Sequence, residues 1–207
     1  MQKTIFSVLL ILLGASSISQ AQDQESKAGI RGSVNFSNWY TDELDDNNVK
    51  LGFGAGIFYR AYLADNFSIQ PEIGFSQKGS TFTYDNFLAS GEVRGILNYV
   101  EVPVLFNVHL TDNLHVGAGP YVGTLISASA KAVDDDGSVD GEEAFDRDNF
   151  TTFDYGFSAD AGIDFESVTI GVRYNLGLQD VEWDTGLGAT PNLGKNSVLQ
   201  FYVGFMF

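Results

Sequence analysis

Three groups of residues in this 207-residue chain have types and spacing able to do chemistry. His109 and His115 are the two histidines; they flank a short polar stretch and can meet across a hairpin. Acid–base catalysis would need a nucleophile beside them. The chain has no cysteine and no serine stands ready next to either ring, so both are read as polar residues at an interface. The second group is Asp136-Gly137-Ser138-Val139-Asp140-Gly141, in which Asp136, Ser138, Asp140 and Gly141 fall on positions 1, 3, 5 and 6 of a calcium-binding EF-hand loop. Position 12, which should be a bidentate Glu, is Arg147, and no flanking helices are evident. A solvated acidic loop is the expectation there, with weak divalent-ion bridging by Asp136, Ser138 and Asp140 as the alternative. The third group sets Arg31, Arg60, Lys78 and Arg173 against Glu72, Glu101, Asp154, Asp160 and Asp164.

What positions that third group is a repeated alternation. After residue 22, segments of about ten residues place large apolar side chains at every second position, with small or polar ones between, which is the period of a β-strand. Ile30, Gly32, Val34 and Phe36 share one face, and Arg31, Ser33, Asn35 and Ser37 the other. Val100 to Val108 alternate with Tyr99, Glu101, Pro103, Leu105, Asn107 and His109; Val168 to Leu176 alternate with Thr169, Gly171, Arg173, Asn175 and Gly177. Eight such segments can be counted. Tight connections at Ala64-Asp65-Asn66, Thr111-Asp112-Asn113 and Glu166-Ser167 alternate with long ones at 39–50, 79–94, 129–151 and 179–196. The even strand count and that alternation predict an all-β fold: an eight-stranded antiparallel transmembrane barrel with short periplasmic turns, long outer loops and both termini in the periplasm.

The second face decides between a membrane barrel and a soluble one. A soluble eight-stranded barrel would turn its polar face to water. Here that face is dominated by Gly, Ser and Asn, with few Lys or Glu, which suits the crowded inside of a narrow barrel. The apolar face forms continuous aliphatic and aromatic stripes that match lipid. The nine charges of the third group then point inward. A lone buried ion is costly, so they are expected to pair into a lumen network that plugs the barrel, an ion or proton path being the alternative. Inward positions such as Gly171 and Asn175 are expected to accept small polar replacements. Pro71 and Pro120 fall on the lipid side, where β-bulges are expected to absorb them.

The first residues read as a secretory leader. Lys3 gives a positive start, Ile5 to Leu13 an apolar run, and Ser19 and Ala21 the small residues before a cleavage between Ala21 and Gln22. Residues 1–21 are therefore expected to be a signal peptide, 22–27 a short periplasmic segment and 28–207 the barrel. The apolar run is about half the ~20 residues of a spanning helix. Without cysteine there is neither a lipid-anchored thiol nor a disulfide. The net charge of −16 and the lack of Lys/Arg clusters argue against nucleic acid as a partner.

Phe201, Val203, Phe205 and the terminal Phe207 make an aromatic last strand. Such an ending, with Phe205 and Phe207, resembles the signal that outer-membrane assembly machinery recognises. Ile69-Gln70-Pro71-Glu72 through Phe75-Ser76-Gln77-Lys78-Gly79 resembles a strand of PorT-like outer-membrane β-barrel proteins of Bacteroidota, as does Leu97-Asn98-Tyr99-Val100-Glu101-Val102-Pro103. Gly119-Pro120-Tyr121, Phe153-Asp154-Tyr155-Gly156 and Arg173-Tyr174-Asn175-Leu176-Gly177-Leu178 are similar to the later strands of that family, so the likeness spans residues 28–207. It implies an outer-membrane barrel, some relatives of which assist secretion or gliding machinery. The expected role is a non-enzymatic scaffold, without cofactor, that contacts the lipid bilayer and an envelope protein. A narrow channel for ions or small solutes is the second reading, and a secretion or gliding accessory the third.

Overall fold

A strand with one large apolar face and one small polar face must separate two environments, and closure into a barrel supplies both without leaving a free edge. The computed structural model describes residues 25–40, 47–86, 89–133, 139–183 and 192–207. Its strands are β1 (Lys27–Tyr40), β2 (Asn47–Asn48), β3 (Lys50–Ala64), β4 (Phe67–Asn86), β5 (Ala89–His109), β6 (Leu114–Val133), β7 (Val139–Phe145), β8 (Phe153–Asp164), β9 (Val168–Glu182) and β10 (Asn192–Met206). Eight of them close antiparallel in the order β4-β3-β1-β10-β9-β8-β6-β5, with β4 pairing back to β5. Among the described residues β2 pairs only with β4 and β7 only with β6, as additions at one end. No helix among the described residues is long and apolar enough to cross a membrane; the strands are what cross.

The tight turns lie at one end, here the turn end. Ala28 and Phe207 exchange backbone hydrogen bonds of 3.2 and 2.9 Å there, so the first and last barrel strands close the cylinder. At the opposite, extension end the strands run farther than the alternation suggested. β4 and β5 continue to Asn86 and from Ala89, and the segment expected to be a loop over 129–151 holds the end of β6, all of β7 and a single 3₁₀ turn, Arg147–Asn149. Charged and small residues masked these extensions in the sequence, because the two faces of a strand that has left the lipid need not differ.

The facing follows the alternation. Ile30, Val34, Phe53, Ile57, Val102, Ile170, Val172, Phe201 and Phe205 are exposed on the outside. Neighbouring strands lock there through aromatic pairs: Phe36 meets Phe201 edge-on at 5.7 Å, and Phe53 lies 5.3 Å from Phe75. Bulges do not absorb the prolines. Phe58↔Glu72 is followed by Ala61↔Ile69, and Pro103↔Tyr121 by Phe106↔Ala118, with unchanged register, so the ladder lapses beside Pro71 and Pro120 and resumes in step. A missing N–H removes a bond without inserting a residue, and the outward ring needs no room in the lumen.

Closure has a direct test. Unboiled protein in SDS should migrate apart from the boiled form, because a sheet with every edge paired resists detergent unfolding. Identical migration would contradict the closed barrel.

Candidate functional site: a lumen filled in layers

Strand alternation aims every charged residue of the third group inward, and barrel closure decides which meet. On β8, Asp160 and Asp164 share the inner face on either side of Gly162; β9 brings Arg173, β4 Gln70 and Glu72, β3 Arg60, β1 Arg31 and β6 His115. Two struts join strands diametrically opposite in the eight-strand ring. Arg173 on β9 grips Glu72 on β4 with both ends of its guanidinium, Nη1 donating to Oε2 at 2.7 Å and Nη2 to Oε1 at 2.8 Å. Arg60 on β3 donates to Asp164 on β8 at 2.8 Å. Both arginines are only 1 % exposed.

The struts are cross-linked. Arg173 Nε donates to Asp160 at 3.1 Å, Arg31 lies 3.3 Å from Glu72, and Gln70 accepts from Arg60 Nε at 2.6 Å while donating to Glu72 at 2.7 Å. His115 sits between two carboxylates, Nδ1 at 2.8 Å from Asp164 and Nε2 at 3.1 Å from Asp160. Each ring nitrogen thus faces a carboxylate oxygen, which fixes the ring between the two acids. His109, paired in register with His115, turns Nε2 to the Ser68 hydroxyl at 2.9 Å. The two rings meet across the hairpin at 5.8 Å, but His115 is a fully buried member of the charge network, not an interfacial polar residue. The pairing of β6 with β8, in the register His115↔Gly162, sets Asp160 and Asp164 on either side of it.

A second layer lies toward the extension end. Lys78 Nζ is 2.5 Å from Glu101 and donates to Asp154 at 2.8 Å, which also accepts from Tyr121 at 3.2 Å and Asn196 at 3.1 Å. The ammonium is held over the rings of Tyr121 and Tyr99, 4.8 and 5.0 Å from their centroids. Between the two layers, Arg31, Glu72, Tyr121, Ser158, Arg173 and Asn175 surround a cavity of about 10 Å³. That is no more than one water needs. Above the second layer Trp39, Leu97, Tyr99, Leu125, Ala128 and Val181 form a buried apolar layer, with Phe145, Phe150 and Leu193 packed against it. Sequence reasoning missed this layer because Trp39 and Val181 fall in segments read as loops.

The lumen also restricts its glycines. A Cβ on Gly171 would stand 2.4 Å from the Ala161 carbonyl oxygen and 2.5 Å from the Tyr202 hydroxyl, so this inward position does not accept the small polar replacement expected there. Asn175 receives the Ser158 hydroxyl at 2.7 Å and has an ordinary polar surrounding.

Of the metal candidates, Asp136 and Ser138 lie outside the described residues and Asp140 belongs to strand β7, an extended conformation unlike a metal-binding loop. Among the described residues no group of three or more His, Cys, Asp or Glu is placed to hold a metal ion. Ala21 and Gln22 also lie outside the described residues. Phe205 and Phe207 are exposed on the outer face at the turn end.

Comparison with known proteins gives one family: that described as "Outer membrane protein beta-barrel domain" matches residues 19–182. No curated protein matches the sequence. Among solved structures, the attachment invasion locus protein Ail of Yersinia pestis is similar at 14% identity and TM-score 0.46, covering 89% of this chain and 100% of that one. Neisserial surface protein A aligns at 10% identity and TM-score 0.47, over 89% and 100%. OprG from Pseudomonas aeruginosa aligns at 13% identity and TM-score 0.45, over 90% and 98%.

Proposed function

The chain belongs to the outer membrane protein beta-barrel domain family, an outer-membrane β-barrel by fold and location, and from that premise we propose that it is a non-enzymatic, non-conducting scaffold of the cell envelope. The observation that carries this reading is the filled lumen. Two crossing ionic struts, a lysine layer and an apolar layer stand in series along one axis, and the free space between the ionic layers is about 10 Å³. Eight strands leave an interior that side chains can fill, whereas aqueous channels belong to barrels of about sixteen.

Function then resides on the surfaces at the two ends. The turn end faces the periplasm in this reading, the aromatic terminal strand with Phe205 and Phe207 serves the assembly machinery, and residues 1–21 are a leader removed before Gln22. The extension end, with strand β7 and the turn after it, meets a protein partner. The PorT-like motifs favour a Bacteroidota envelope barrel of this kind, and an accessory role in secretion or gliding is one partner-bound form of it.

Planar-bilayer recording tests the plug. The purified barrel should give no stable unitary currents at neutral pH, and such currents would reject the scaffold reading in favour of a channel. A crosslinking pull-down from native membranes should return a discrete envelope protein.

A further inference from the structure

We propose that the extension-end mouth holds a binding site for one small apolar molecule, a single-ring aromatic or a short alkyl chain. The site is an apolar pocket of about 200 Å³, half enclosed and half open at the barrel mouth, separate from the ionic lumen. Its walls include Trp39, Leu97, Phe145, Phe150, Trp183 and Leu193. Phe150 and Trp183 stack with ring planes 3° apart and centroids 6.0 Å apart, and Phe145 is inclined to both, at 6.2 and 5.5 Å.

Backbone bonds hold these rings in place. Phe150 and Trp183 form a bridge, and next to it the Thr151 N–H donates to Glu182 O at 3.1 Å while the Glu182 N–H donates to Thr151 Oγ1 at 3.0 Å. On the opposite wall Trp39 packs so closely on Gly95 that a Cβ there would come within 2.8 Å of the indole. Trp39, Leu97 and Val181 belong to the buried apolar layer, which closes the site off from Lys78 below.

Such a space suits an apolar occupant better than water. An apolar cavity of ~150 Å³ stays dry and takes up benzene, because water there would forfeit its hydrogen bonds. Here the volume is slightly larger and four aromatic side chains stand in the walls, so a ring can lie offset or edge-on against Phe145, Phe150 or Trp183. Drug-sized ligands need ~300 Å³ or more, which sets the upper limit on size. The layers beneath block onward passage along the axis, so the site is one of capture at the mouth.

The chain supplies its own reporters, because its two tryptophans, Trp39 and Trp183, both line the cavity. Bromobenzene, a heavy-atom quencher of matching size, is titrated into full-length protein in lipid nanodiscs while tryptophan emission is followed. The expected result is saturable quenching above the linear component due to quencher dissolved in lipid. Ala130 lines the cavity next to Gly95 in register. Ala130→Phe should weaken the saturable phase at least tenfold and Ala130→Ser should keep it, with both variants verified as folded by their heat-modifiable migration. Purely linear quenching of equal slope in wild type and Ala130→Phe would overturn the proposal, whether the space is filled by the chain itself or simply too weak a binder. So would a saturable phase that Ala130→Phe leaves unchanged.

Discussion

Arg173→Met should lower the unfolding free energy of the barrel by about 3–5 kcal/mol, the cost of breaking a buried ion pair from one side. Arg173 makes two hydrogen bonds to Glu72 and one to Asp160. Methionine fills a similar volume but leaves Glu72 to Arg31 and Gln70, and Asp160 to His115 and Tyr202, without the guanidinium that joined them. Urea unfolding in lipid vesicles, followed by tryptophan emission, reads the loss. Adding Glu72→Gln to Arg173→Met should recover part of it, since removing both charges avoids the stranded carboxylate. Breaking the exposed pair of Arg147 and Asp148 with Arg147→Ala should change stability by no more than about 0.5 kcal/mol, because solvent screens that contact. Equal losses for Arg173→Met and Arg147→Ala would show that the network does not brace the barrel.

Ile170→Asp and Val102→Asp should be nearly as damaging, by a different mechanism. Both side chains are exposed on the outer face and thus meet lipid. A charged lysine or arginine at the bilayer midplane costs about 2–4 kcal/mol and aspartate somewhat less. The inward comparison is Asn175→Asp, whose new carboxylate still receives the Ser158 hydroxyl and faces the cavity shared with Arg31 and Arg173. Folding into vesicles, scored by the gel shift, should fall sharply for the two outward variants and remain close to wild type for the inward one. If all three fold equally, the facing of β5 and β9 is wrong by one residue, since a single-residue slip exchanges the faces.

Much of this site was legible because a strand encodes facing with period two. Arg31, Arg60, Glu72, Glu101, Asp154, Asp160, Asp164 and Arg173 all fall on small or polar faces, and the structure places each of them inside. Their partners were not legible. Glu72 and Arg173 are 101 residues apart, and Arg60 and Asp164 are 104 apart. Only the ring order sets β4 opposite β9 and β3 opposite β8. His115 shows a milder form of the limit, because a histidine beside a turn reads as a surface residue until the register of β6 on β8 sets Asp160 and Asp164 against it. The same holds for Gly171, whose intolerance of a side chain comes from the Ala161 carbonyl and from Tyr202 on its two neighbouring strands.

By itself, then, the sequence determined the number and facing of the barrel strands, the positions of the three tight turns, and the set of charges turned inward. Those follow from local alternation and from the rule that lipid accepts only a backbone that satisfies itself. Tertiary structure alone decided the order of the layers, the two struts across the lumen, the length of the strands beyond the lipid and the aromatic cavity at the mouth. Each of these depends on the register in which distant strands meet, and register is fixed by closure of the whole ring, where all eight pairings must be satisfied together.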